Sequence, residues 1–134
     1  MYTRSFFAAL ICGPVMANAD GRALYLENCA ACHGASLEGQ PDWRQQNEDG
    51  TLPAPPHDAS GHTWHHPDQM LFDYVTLGGE QTLQKMGITG VHSAMPGFAD
   101  LLSDREIHDI LAYIKSTWPE ELREYQAHIT ENAQ

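Results

Sequence analysis

Between Gly34 and Pro67 the chain is crowded with residues that interrupt regular structure: Gly39, Pro41, Gly50, Pro53, Pro55, Pro56, Gly61 and Pro67. Proline lacks a backbone donor and fixes φ, and glycine favours turns, so neither a long helix nor a strand can run through this stretch. More than thirty residues of irregular chain is an uncommon load for a 134-residue protein unless something large fills the interior.

The flanking segments read as helices. Asp20 stands where it would cap a first helix from about Gly21 to Cys29, with Ala23, Leu24, Leu26 and Ala30 as its apolar surface. A second is predicted over Asp68 to Leu77, because Met70, Leu71, Tyr74 and Val75 recur at helical spacing and Gly78-Gly79 follows. A loop then covers Gly87 to Leu102. Ser103 with Glu106 three residues on forms a capping box, and Ile107, Ile110, Leu111 and Ile114 make the stripe of a third helix. Pro119 stops it, and Pro119-Glu120-Glu121 can start a short terminal helix through Tyr125, with disorder expected after Thr130. No repeat and no strand-like alternation is visible. The expected fold is all-α, with three core helices and long loops.

The first nineteen residues read as a signal peptide. Arg4 is a small positive region, Phe6 to Ala17 is apolar, and Ala17-Asn18-Ala19 has the small-x-small pattern of a cleavage site. Such an apolar stretch is too short to span a membrane, which takes about 20 residues. Cys12 follows the branched Ile11 where a lipoprotein signal would have a small residue, which argues against lipid modification. Cleavage near Ala19 predicts a periplasmic or secreted protein. It removes Arg4 and leaves 18 acidic residues against 6 basic ones. That balance argues against nucleic acid and anionic membranes as partners and favours basic docking surfaces, with acidity that serves solubility alone as the alternative.

Cys29-Ala30-Ala31-Cys32-His33 is C-x-x-C-H, the attachment sequence for c-type haem. Two thiols so spaced at a helix end can both reach the vinyl groups of one porphyrin edge, and the next residue brings an imidazole under the iron. A thioredoxin-like pair would need a preceding strand, and a zinc site would need two further ligands from histidines. A disulfide closing so short a loop would add little stability.

With these residues in view, the chain resembles class I cytochromes c along most of its length after the leader. Gly21-x-x-x-Tyr25 is similar to the family's N-terminal helix, where a small residue lets the C-terminal helix cross closely. Asp109-Ile110-Leu111-Ala112-Tyr113-Ile114-Lys115 is similar to that C-terminal helix almost residue for residue, and Met95-Pro96-Gly97-Phe98 resembles the segment carrying the sixth ligand. The resemblance implies a cytochrome c domain over residues 20–118 with a C-terminal extension, 119–134. It implies one covalent, low-spin haem with His33 as proximal and Met95 as distal ligand. The residues also favour Met95, which precedes a proline and a glycine in a loop, whereas Met70 sits at helical spacing and Met86 lacks a turn motif. His92 is the nearest rival. A thioether ligand favours reduced iron and hence a high potential. The family gives the other nitrogen of its proximal histidine to a proline carbonyl soon after the motif, a role that falls to Pro41, although the usual Gly-Pro is Gln-Pro here.

Four histidines fall between His57 and His66. By the resemblance, this loop covers the haem propionates, with His62, Trp64 and His65 as hydrogen-bonding candidates. Pro-Pro-His-Asp and His-Thr-Trp-His-His runs are similar to those of a small subgroup of bacterial cytochromes. A copper or other metal site and a plain solvated loop are the alternatives. The expected function is electron transfer by a monomer, to an oxidase, dehydrogenase or other cytochrome, guided by acidic residues such as Glu27 and Glu38. No acid–base pair stands near a recognisable substrate pocket, which argues against an enzyme. A haem-based sensor or peroxidase-like protein and a copper-handling protein are the competing functions.

Overall fold

The computed structural model describes residues 16–133, with side chains from residue 20; residues 1–15, most of the expected leader, lie outside it. Helix α1 covers Met16–Asn28 and a single turn, α2, covers Ala30–His33. After the long loop come α3 (Asp68–Leu77), α4 (Gly79–Lys85), α5 (Asp104–Ser116) and α6 (Glu120–Asn132). Among the described residues there is no strand, only one isolated bridge between Thr51 and His92. The chain is all-α.

The expected helices are present, with corrections at their ends. Asp20 lies inside α1 and does not cap it, because Met-Ala-Asn-Ala before it contains no breaker and the helix extends through it. Residues 79–85 form a helix that the paired glycines had masked: Gly78 takes φ +86 and turns the chain, and Gly79 starts again. Terminal helix α6 reaches Asn132, well past Tyr125, because its inner face has something to pack against. The Ser103–Glu106 capping box forms as its residues foretold.

Helices α1 and α5 cross at Gly21. A Cβ there would sit 2.1 Å from the carbonyl oxygen of Asp109, so only glycine permits this approach. Tyr25, wholly buried, fills the space beside the crossing and its hydroxyl donates to the Gly34 carbonyl at 2.8 Å. Burial holds that phenol far above its ordinary pKa, in the donor form the bond requires. The α5 stripe of Ile107, Ile110, Leu111 and Ile114 joins Leu71 and Val75 of α3 and Trp118 in one core.

Candidate haem site

Helix α1 ends where the cysteine motif begins. The Cys29 amide donates to Tyr25 and its carbonyl accepts from His33 at 2.9 Å, so the motif winds as one further turn. Cys29 and Cys32 are free thiols, the first partly buried and the second exposed. Burial, with Cys32 nearby, pushes the Cys29 thiol up to about 11, which keeps it protonated.

His33 is 6% exposed. Its Nδ1 lies 2.9 Å from the carbonyl oxygen of Pro55. A carbonyl only accepts, so Nδ1 carries the proton and Nε2 keeps its lone pair for a metal. Burial lowers the His33 pKa despite that bond, favouring the neutral, ligating form. The acceptor is therefore Pro55 and not Pro41, which lies exposed. The reason is local: Gln40 pairs with Ala54 through backbone and side chain, at 2.9 and 2.8 Å, and seats the Pro55-Pro56 segment against Gly39. A Cβ on Gly39 would meet the Pro56 nitrogen at 2.4 Å. The loop thus doubles back before it reaches the histidine. Pro53-Ala-Pro-Pro was the available signal, but its pairing partner lies fourteen residues earlier, at Gln40.

On the other side, the segment around Met95 is fastened to the end of α3. A helix leaves its last carbonyls without partners, and here Val75 and Thr76 accept from Phe98 and Ala99 at 2.9 and 3.3 Å. Gly79 donates to the Met95 carbonyl at 3.0 Å, and Gly78 and Gly97 leave no room for side chains between these backbones. Met95 is partly buried against the core. His92 is exposed and approaches Glu80 at 3.3 Å, turned to a surface partner.

The histidine-rich loop splits into groups. Trp64 stacks on His65, ring centres 3.8 Å apart, and both make T-shaped contacts with Tyr125 from α6. His62 stacks on Trp43 and its Nδ1 lies 3.1 Å from Nε2 of His66. Burial, then the neighbouring charges, lower the pKa of both His62 and His66. Among the described residues, no three or more His, Cys, Asp or Glu side chains converge as a metal cage. His57 goes inward and stacks on His33 at 4.0 Å, a contact that no local pattern signals.

The donor set fits a haem. Trp64 Nε1 is buried with no hydrogen-bond partner, and a propionate oxygen is an acceptor that would satisfy it. Paired thiols, a buried imidazole with a free Nε2 and a thioether in a pinned loop complete the set. A helical scaffold of this kind, with C-x-x-C-H at the end of its first core helix, belongs to the class of haem-attaching electron carriers. Residues 18–118 match the family described as cytochrome c, and the chain belongs to that family, whose members carry covalently attached haem c and are usually electron carriers rather than enzymes. Comparisons with curated proteins and with solved structures returned no match. No described helix is long and apolar enough to cross a membrane.

Proposed function

We propose that this cytochrome is a periplasmic or secreted electron carrier with a single haem, ligated by His33 and Met95, and that it is not an enzyme. The observation that carries this reading is the His33–Pro55 hydrogen bond, which commits Nδ1 as donor and frees Nε2. When bound, the haem would supply one-electron cycling of its iron. The protein's own part is to hold and tune it. Cys29 and Cys32 anchor one edge through thioethers, Pro55 sharpens the basicity of His33, and the Gly78–Gly97 contact fixes where Met95 can point. Trp64 offers its indole N–H to a propionate.

The test is maturation in a host with haem-ligation machinery. One haem should resist acid–acetone extraction, the oxidised protein should show the sulfur-to-iron charge-transfer band, and Met95→Ala should abolish that band and lower the potential. Freely extractable haem defeats the reading, and a band that persists in Met95→Ala removes Met95 as ligand.

The partner is proposed to be a redox protein with a basic docking surface. Glu27 and Glu38 are exposed on either side of the cysteine motif, and their charge would steer encounter. Transfer to a basic acceptor should slow as ionic strength rises. Glu38→Gln keeps an acceptor for the Ser36 amide, now bound at 2.8 Å, and should flatten that dependence. A rate indifferent to salt would refute electrostatic steering.

A further inference from the structure

His57 is an inward-facing histidine that the reading above leaves without a role. We propose that His57 is a positioning residue for the proximal ligand: stacked on His33, it fixes the plane of that imidazole and tunes the iron through it. The inference rests on His33 being that ligand.

Two contacts orient the His33 ring. Pro55 restrains it at one atom on the edge, which still allows the ring to rock. His57 covers its face, with centroids 4.0 Å apart and planes inclined by 22°. A second ring at that distance attracts the first and occupies the space through which it would turn.

His57 is itself held through its amide, its carbonyl and its Nδ1. Its amide donates to Leu37 at 2.8 Å, and its carbonyl accepts from the Trp118 indole at 2.7 Å. Its Nδ1 lies 2.8 Å from Thr63 Oγ1, and that hydroxyl reaches the Pro56 carbonyl at 3.5 Å. The Thr63 contact at Nδ1, at the edge of the ring, sets the plane of the imidazole. Leu37 adopts φ +66, a left-handed conformation rare for leucine, while its carbonyl receives the amides of both His57 and Asp58. An aliphatic residue would fill the same volume without presenting a plane.

The stack also has an electronic consequence. Oxidation of the iron draws electron density from its imidazole ligand, and the face of an aromatic ring is electron-rich. His57 therefore favours the oxidised state, and its loss should raise the midpoint potential.

The experiment uses the mature holoprotein and its variants His57→Leu, His57→Phe and Thr63→Val. Hyperfine-shifted haem methyl resonances of the oxidised protein report the plane of the axial imidazole, and potentiometry reports the midpoint. His57→Leu is expected to change the methyl pattern and raise the midpoint. His57→Phe, which keeps a stacked ring, should stay close to wild type on both. Thr63→Val frees the plane but keeps the stack, and should move both in the Leu direction by less. Wild-type shifts and midpoint in His57→Leu would overturn the proposal, as would a Phe variant displaced as far as Leu. Should His57→Leu fail to mature, Thr63→Val decides: wild-type values in that protein overturn the proposal. A wild-type protein without covalent low-spin haem would instead defeat the proposed function, an outcome read before any variant is made.

Discussion

The crossing of α1 and α5 and the packing of α6 on the histidine-rich loop both bury side chains between distant parts of the chain, but they are held differently. At the crossing, backbone lies against backbone: Gly21 faces the Asp109 carbonyl and the stripe of α5 closes over Tyr25. At the loop, single polar groups reach across. Gln126, 2% exposed, donates to the His66 carbonyl at 3.1 Å and to Asp68 at 2.7 Å. The Tyr125 ring stands roughly perpendicular to those of Trp64 and His65. The first arrangement demands a residue type at a position. The second demands only that particular groups find each other, and α6 lies outside the 18–118 stretch that matches the family.

If that distinction is right, the crossing should be the less forgiving of the two. Gly21→Val is expected to destabilise the folded protein by about 3 kcal/mol, the upper end for overpacking, measured by denaturant unfolding of the holoprotein. A loss below roughly 0.5 kcal/mol would mean that the helices can part without cost and would break the comparison. Gln126→Ala should cost less, about 1–2 kcal/mol, because it leaves the partly buried His66 carbonyl short of a donor without displacing any backbone. Its signature should be local: faster amide exchange in residues 62–66 and in α6, with α1 and α5 unchanged. Exchange that rises equally in α1 and α5 would show that the two regions form one cooperative unit.

The same distinction explains what could be read from the sequence. Gly21, the C-x-x-C-H motif, the Ser103–Glu106 box and the α5 stripe are local patterns, and each maps directly onto an element or a contact. Of the candidate site, such patterns reach the two thiols, His33 and the Met95 segment. Pro41 was the nearest proline, but the acceptor is Pro55, because Gln40 and Ala54 pair across the loop. The stacking of His57 on His33 and the T-shaped contact of Tyr125 with Trp64 join residues 24 and 61 positions apart, and no local period encodes them. Helix α4 was hidden for another reason: Leu83 is its only large apolar residue, so it has no stripe to detect.

Asp68 is where the two regions meet, and it allows the smallest and most specific test. Its carboxylate, in the first turn of α3, accepts from Lys115 of α5 at 2.7 Å and from Gln126 of α6. Burial alone would raise its pKa, but the hydrogen bonds from Lys115 and Gln126 outweigh burial and hold it below the ordinary carboxylate value. The folded pKa thus lies below the unfolded one, about 3.9. The carboxylate's contribution to stability is complete above that value and disappears as pH falls through the depressed folded value. Lys115 and Asp68 are both partly accessible, so solvent screening limits the charge to about 1 kcal/mol or less. Asp68→Asn should therefore be slightly less stable than wild type from neutral pH down to about 4, and the gap should close in more acid solution, where both proteins carry an uncharged group. Combining Asp68→Asn with Gln126→Ala should then cost less than the two single losses together, since each removes part of one shared junction. Strict additivity, or a gap that persists in acid, would mean that Lys115 and Gln126 do not act through this carboxylate, and that the crossing and the loop are joined by packing alone.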